Sequence, residues 1–364
     1  MKLKHSLSMV LLAAASLFRP QREVVCNSIS RREVMANTIR EIENFQFEAP
    51  AAGGFEHERI TEANAALIDQ AYFSEPLTNY AVGYKDDVDL DRELEFFAPV
   101  VPVPRKFSYA VWDNAEQFLT EDDDARAIGA DFRSVEYTST KVDAKTANRG
   151  LQICVDLDEI DGLPNWEEMY TNKLLRRIKR NSLKRAVALI SGTANAGTAT
   201  WDATASVDPD QTVLAELITA ADLIGVRPNR VAYGETAWSK RLLEHRAASS
   251  AGGFASSSLT PEQLAAWLQV DSVLVSKARY TASATARTQI VAYLVLMFLA
   301  NSGEDTEDAS NIKRFVSMGS TEQGGGQYQV YSQRVSAKRH IIAVGHYELT
   351  KLTSTLGLRK LTIS

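Results

Sequence analysis

The segment from Pro164 to Ile190 constrains the fold most, because its pattern is that of one uninterrupted helix. Neither glycine nor proline occurs between residues 165 and 190, and Asn165 followed by Glu168 has the spacing of an N-terminal capping box. About 27 residues at 1.5 Å each give a rod of roughly 40 Å. Apolar residues recur along it at helical spacing, at Tyr170, Leu174, Ile178, Leu183, Val187 and Ile190. The sequence therefore predicts a single long helix near the middle of the chain.

The other faces of this predicted helix are basic. Two interpretations are open: these side chains form a contact surface for an acidic segment, or they are solvated charges. A single exposed ion pair contributes only ~0–1 kcal/mol, so a contact would depend on repetition. The basic residues are Lys173, Arg176, Arg177, Lys179, Arg180, Lys184 and Arg185.

The chain before the helix is typical of extended segments rather than of a domain. Residues 49–54 are rich in alanine and glycine, and a short helix is predicted over Thr61–Phe73, ending before Pro76. Acids crowd residues 86–95, and prolines at 99, 102 and 104 favour extended backbone. Strands are predicted at Phe107–Val111 and around Val135–Tyr137. The intervening residues 113–133, with an acidic run at 121–124, form a long excursion that suggests a projecting two-stranded loop.

Short strands alternate with helices after the long helix, which favours a compact α/β unit over residues 200–300. Helices are predicted over Thr212–Val226, capped by Asp208 or Asp210, and over Thr236–Arg246. Residues 247–258 are predicted to form a Gly/Ser-rich loop. Thr260 and Gln263 have capping-box spacing, with Pro261 at the first helical position. Strands are predicted at Val231–Tyr233 and Val273–Val275, and the pattern after residue 312 is β-rich.

The first 18 residues resemble a secretory signal, with Lys2 and Lys4 before an apolar run from Met9 to Phe18. Two alternatives remain: Met35 is the true start, or the segment is a short amphipathic helix removed or buried during maturation. The run is too short for a membrane span, and so is the apolar stretch Ile290–Ala300.

Charge and composition exclude several classes of protein. Hydrophobic residues make up 45% of the 364 residues and charged residues 24%, which excludes a disordered tail or a coiled-coil rod. The formal net charge of −6 argues against a general nucleic-acid binder. Cys26 and Cys154, the two cysteines, cannot build a disulfide framework or a four-cysteine zinc site.

No catalytic, cofactor or metal site is predicted, because no motif has the required spacing. Gly324–Gly326 lacks the Lys-Ser/Thr of a phosphate loop, and no Gly-x-Ser-x-Gly elbow occurs. His340 and His346 are six residues apart on a β segment, too far apart to share one ion. Acids at 156, 158, 159 and 161 lack the spacing of an EF-hand.

The order of the segments resembles that of a tailed-phage major capsid protein with the Hong Kong 97-type capsid fold. Three local stretches also resemble one branch of that family. Phe97–Val103 leads into the excursion, Arg227–Gly234 precedes Thr236-Ala237-Trp238, and Thr260–Ala265 leads into Val270–Val275. The resemblance covers roughly residues 40–350, while the signal-like start departs from it.

This resemblance implies an α+β fold and a structural protein rather than an enzyme. It implies a leader at 1–35, an N-terminal arm at 36–82 and an extended loop with peripheral-domain strands at 83–160. It further implies a spine helix at 161–193, an axial domain at 194–311, and returning peripheral strands with a tail at 312–364. The subunit would assemble with itself into pentamers and hexamers of an icosahedral shell, without cofactors or a membrane, in the host cytoplasm. Portal and scaffold or maturation proteins would be partners, and packaged double-stranded DNA would be contacted non-specifically.

Repeated contacts between copies suggest a hypothesis for the site: the extended loop of one subunit lies over the long helix of its neighbour. Its contact residues would be Arg176, Arg177 and Arg180 on the helix, with Asp122, Asp123 and Asp124 on the loop. An encapsulin-like nanocompartment shell with an enzyme cargo is the alternative of the same fold. An exported α/β enzyme or binding protein is a further alternative.

Overall fold

The computed structural model describes residues 72–84, 89–112, 125–126, 128, 131, 140–204, 207–225, 227–283, 285–301, 310–318 and 326–364. All of these lie in one compact unit, Ile68–Ser364. The predicted leader, most of the predicted arm, the start of the helix expected at Thr61 and the strand expected at Val135–Tyr137 lie outside the described residues.

Helices and strands alternate irregularly along the described chain. The helices are α1 (Glu75–Gly83), α2 (Leu90–Phe97), α3 (Trp166–Thr193), α4 (Pro209–Ile224), α5 (Glu235–Ala247), α6 (Ala251–Ser257) and α7 (Pro261–Leu268). The first strands are β1 (Val100–Pro102), β2 (Lys106–Val111), β3 (Thr140–Lys145), β4 (Ala147–Asp156), β5 (Asn195–Ala199), β6 (Arg230–Gly234) and β7 (Ser272–Ser276). The later strands are β8 (Arg279–Thr281), β9 (Arg287–Gln289), β10 (Leu294–Phe298), β11 (Ile312–Ser317), β12 (Tyr328–Arg334), β13 (Arg339–Leu352) and β14 (Arg359–Ile363).

The predicted long helix is present as α3, which has 28 residues. Its first half packs Leu174, Leu175 and Ile178 against Val330 and Val344 of one sheet. Its second half belongs to a different apolar cluster, which includes Leu183, Val187 and Ile190 of α3 and residues of α2, β6, β7 and β10. The helix therefore contributes to two hydrophobic clusters, and its apolar stripe is long because it serves both.

The first sheet is organised around β13, a strand of 14 residues. It pairs antiparallel with β4 along Arg339–Glu348, with β12 along His340–His346 and with β11 along Tyr347–Leu352. Strand β1 adds to β11 in parallel. The β-rich pattern predicted after residue 312 thus includes one long strand, β13.

The second sheet has the order β5-β14-β10-β6-β7 and combines parallel with antiparallel pairs. Its inner strands β6 and β10 are buried on both faces: Val231 and Tyr233 of β6 point into a cluster with helices α4, α5 and α7, while Ala232 points into the cluster shared with α3. This arrangement accounts for the continuous apolar runs in the sequence. Strand β14 lies in this sheet, although it comes from the segment predicted to return to the peripheral strands.

Helix starts agree with the sequence at two places and differ at two others. Asp208 caps α4 by accepting from the amides of Asp210 and Gln211, and the Thr260 capping box of α7 is complete. The capping box predicted at Asn165 is wrong, because Asn165 adopts a left-handed conformation (φ 57°) and its side chain makes no capping bond. The loop predicted at 247–258 is also wrong. Ser250 instead caps the short helix α6 by accepting from the amide of Gly253.

None of the helices that the structure describes combines the length and apolar character needed to cross a membrane.

Candidate assembly interface

A two-stranded ribbon, formed by β2 and β3, flanks the predicted excursion on both sides. Its base is anchored on β11, where the ring of Phe315 lies 4.7 Å from that of Phe107 and 5.1 Å from that of Tyr109. Strand β3 is exposed at every residue except Ala144, and β2 is its only partner in the described sheets. An edge strand of this kind presents unpaired backbone groups that another chain can cover.

The predicted acidic half of the contact, Asp122–Asp124, lies outside the described residues. Its basic half is on α3, where the three arginines differ in surroundings. Arg177 is exposed, whereas Arg176 and Arg180 are only partly exposed. The Nε of Arg176 donates to the hydroxyl of Tyr84 at 2.8 Å. Arg177 is therefore the most accessible of the three arginines to a neighbouring copy.

Two further basic residues of α3 are committed to contacts within the chain. Lys179 is 3% exposed and its Nζ lies 2.7 Å from Asp91 of α2. The ammonium of Lys184 lies 3.9 Å from the ring centre of Tyr280. The basic pattern of the sequence therefore combines buried structural charges with exposed ones, which spacing alone did not separate.

Two described acids of the stretch 86–95, Asp91 and Glu93, are likewise used inside the chain. Besides Asp91, Glu93 is buried and accepts from the hydroxyl of Ser276 at 2.7 Å and from the amide of Lys277 at 3.0 Å. Burial raises the pKa of the Glu93 carboxyl, although these hydrogen bonds oppose the rise. Helix α2 is thereby tied to α3 and β7, so these acids hold the chain together rather than extend toward a neighbour.

A buried ionic cluster joins α3 to the first sheet, and no motif in the sequence indicated it. The carboxylate of Glu348 is 1% exposed and accepts from the Ser182 hydroxyl at 3.0 Å and from Arg185 at 2.9 Å. Arg314 and His346 lie 3.8 and 3.7 Å from it. Burial acts to raise the pKa of Glu348, but Arg314 and Arg185 outweigh it and hold the pKa below its usual value. These five residues are called the Glu348 cluster below.

A second buried ionic cluster lies among the helices that cover the second sheet. Arg241 is fully buried and donates to both oxygens of Asp210, at 2.6 and 2.8 Å, while the Nε2 of His245 lies 3.2 Å from the same carboxylate. Burial acts to raise the pKa of Asp210, but the bonds from His245 and Arg241 lower it below its usual value. These three residues are called the Asp210 cluster below.

Asp208, Asp210 and His245 form the group of metal-ligating side chains that stands out in the described part of the chain, with ligand atoms within 4.8 Å of one another. Each carboxylate already has another partner: Asp208 caps α4, and both oxygens of Asp210 accept from Arg241. A cation placed there would compete with a guanidinium for the same oxygens, so the geometry fits a structural ion pair better than a metal centre.

Comparisons with known proteins found similarity in solved structures alone. No protein-family model and no curated protein matches the sequence. A phage-related protein from Bordetella bronchiseptica RB50 aligns with a TM-score of 0.59 at 18% identity, covering 80% of this chain and 97% of the other. The chain has the fold of that protein, and the predicted α+β class is confirmed.

Two capsid structures are also similar, at lower scores. The capsid of the cyanophage P-SCSP1u gives a TM-score of 0.45 at 9% identity, covering 74% of this chain and 87% of the other. The capsid of the Myoviridae phage XM1 gives 0.45 at 11% identity, covering 77% and 94%.

Proposed function

We propose that this chain is the major capsid protein of a tailed phage and forms the shell by assembling with copies of itself. The observation that carries the proposal is the fold shared with the phage-related protein over 97% of that protein's length. The exposed β2–β3 ribbon supports it, because a neighbouring copy can complete the packing of a strand that has one free edge.

The finer arrangement follows the sequence resemblance. Residues 36–82 would be the arm, 83–160 the extended loop with peripheral strands, 161–193 the spine helix, 194–311 the axial domain and 312–364 the returning strands and tail. Copies would form pentamers and hexamers around packaged DNA, together with portal and scaffold or maturation proteins. A net charge of −6 suits this role, because a strongly basic interior would hold the DNA in place.

The direct test of assembly is expression of the full chain, followed by size-exclusion chromatography and negative-stain microscopy. We expect closed particles of megadalton mass. A monomer of about 40 kDa under every condition would contradict the proposal and favour the exported enzyme or binding protein. Particles that carry a protein cargo instead of DNA in their native host would favour the nanocompartment shell.

The contact itself is tested by charge reversal at Arg177, the exposed member of the predicted set. If the loop acids Asp122–Asp124 of one copy lie on α3 of the next, Arg177→Glu lowers the yield of particles several-fold while the free subunit stays folded, as circular dichroism would show. Arg287→Glu on β9 is the matched control, since Arg287 is also exposed but lies on a different element. Normal particles from Arg177→Glu, or equal losses from both variants, would contradict the contact.

A further inference from the structure

A cavity of about 290 Å³ lies between the middle of α3 and the β4–β13 strand pair. Three different elements contribute its polar lining, and four of these side chains are hydrogen-bond donors that point from different directions. They are Arg149 of β4, Asn181 and Arg185 of α3, and His346 of β13.

One of these donors is buried without a partner, and a buried atom of a second donor is also unpaired. His346 is 2% exposed, and neither of its ring nitrogens has a hydrogen-bond partner. The Nε of Arg149 is buried and equally unpaired, and no carboxylate of the described residues lies within 4.0 Å of its guanidinium. Buried polar groups of folded proteins are nearly always paired, because an unpaired one loses its hydrogen bonds to water without a replacement. The cavity therefore lacks a partner that accepts hydrogen bonds.

The charge around the cavity is positive. Glu348 already has Arg185 and Arg314 as partners, so the guanidinium of Arg149, which Glu348 attracts from beyond ion-pair distance, makes the surroundings of the cavity net positive. Burial and the neighbouring Arg185 lower the pKa of Arg149 from its usual value. The positive surroundings therefore favour a negatively charged acceptor in this space.

The volume sets the size of that anion. Sites for drug-sized ligands measure roughly 300–1,000 Å³, and one water occupies about 30 Å³ of liquid volume. About 290 Å³ accommodates one small oxyanion with a few waters. Guanidinium groups match the oxygens of phosphate in paired hydrogen bonds, and a tetrahedral anion offers acceptors in several directions at once, as the donors on three elements require.

We propose that this cavity binds one small free oxyanion of the phosphate class. The bound anion accepts from Arg149 and His346, neutralises the unpaired charge, and links α3 to β4 and β13. The site is a property of the folded subunit and is independent of its assembly.

Thermal unfolding of the full chain tests the site. Inorganic phosphate, added at constant ionic strength in exchange for chloride, should raise the melting temperature progressively, because a ligand that binds the folded state stabilises it. Arg149→Gln should weaken phosphate binding roughly tenfold or more, since it removes charge-assisted hydrogen bonds. Arg149→Lys keeps the charge but lacks the planar guanidinium, so its phosphate affinity should lie between those of the wild type and Arg149→Gln. Arg287→Gln on β9 should respond as the wild type does.

Calorimetric titration of the wild type with phosphate, acetate and a short DNA duplex identifies the ligand without any variant. Phosphate binding at a ratio of one per chain supports the proposal. An equal response of Arg149→Gln to phosphate, acetate binding as tightly as phosphate, or binding of the duplex alone would each overturn it.

Discussion

The two buried ionic clusters use similar residues in opposite ways. The Asp210 cluster is charge-balanced around one carboxylate: Arg241 fills both oxygens, stacks at 4.8 Å from the ring centre of Trp238 and also donates to the Ser256 carbonyl. The Glu348 cluster gathers two arginines and a histidine around one carboxylate, and a cavity with a third arginine, Arg149, borders it.

This difference separates a structural ion pair from a site whose hydrogen-bond donors remain available to a ligand. In the Asp210 cluster the groups meet in a bidentate pair that ties α4, α5 and α6 together. One buried nitrogen of the Asp210 cluster, the Nη1 of Arg241, has no hydrogen-bond partner, whereas both ring nitrogens of His346 and the Nε of Arg314 in the Glu348 cluster have none, and neither has the Nε of Arg149 beside it.

The largest expected effect is the loss of Arg241. Arg241→Gln leaves the Asp210 carboxylate buried without its bidentate partner, and breaking a buried ion pair costs about 3–5 kcal/mol. Urea unfolding measures the loss of free energy. Arg279→Gln, the same change in the exposed Arg279–Glu235 pair, should cost only about 0–1 kcal/mol. Similar losses from both variants would show that burial does not strengthen the Asp210 cluster.

The second effect is a dependence of stability on pH through His346. Burial, with help from Arg185, Arg149 and Arg314 and against Glu348, lowers the pKa of His346 to about 4, while the ring of Tyr328 lies 5.6 Å away. Between pH ~4 and ~6.5, His346 therefore binds a proton in the unfolded chain but not in the folded chain. The contribution of the neutral His346 to the free energy of unfolding is therefore complete above pH ~6.5. It is lost as the pH falls toward ~4, by up to about 3 kcal/mol.

Unfolding measured between pH 7 and pH 4 checks this slope. His346→Gln should flatten it, whereas His340→Gln, on the same strand, should leave it in place. His340 serves as a matched control because it is half-buried and paired with the hydroxyl of Ser332 at 2.7 Å. An unchanged slope in His346→Gln would assign the pH dependence to the carboxylates instead.

Features set by local sequence could be predicted, and those set by distant pairing could not. The apolar stripe of α3, the Asp208 cap and the Thr260 capping box each depend on residues within a few positions of one another. The Asn165 cap failed because the chain enters α3 through a left-handed residue, which the spacing of Asn165 and Glu168 does not encode. Helix α6 was missed because its glycines and serines outweighed its cap at Ser250.

The candidate site shows the same limit. The sequence identified α3 as basic, but it could not show that Lys179 is buried against Asp91, 88 residues away. Glu348 and Ser182 are 166 residues apart in sequence and meet only because α3 lies across β13. Such contacts leave no pattern in the local sequence, so neither buried cluster could be predicted before the fold was known.

The smallest expected effect on stability is that of Arg149→Gln, and it sharpens the comparison most. Arg149→Gln makes the same chemical change as Arg241→Gln, but no carboxylate of the described residues lies within 4.0 Å of Arg149, and its loss relieves repulsion from Arg185 while it removes a weaker attraction to Glu348. In chloride without phosphate, we expect the free energy of unfolding to stay within about 1 kcal/mol of the wild type, since removing a partly buried charge also removes its desolvation penalty. Urea unfolding in the same buffer as for Arg241→Gln gives the comparison directly. A loss of several kcal/mol would mean that Arg149 is paired within the chain, and the two clusters would then be alike.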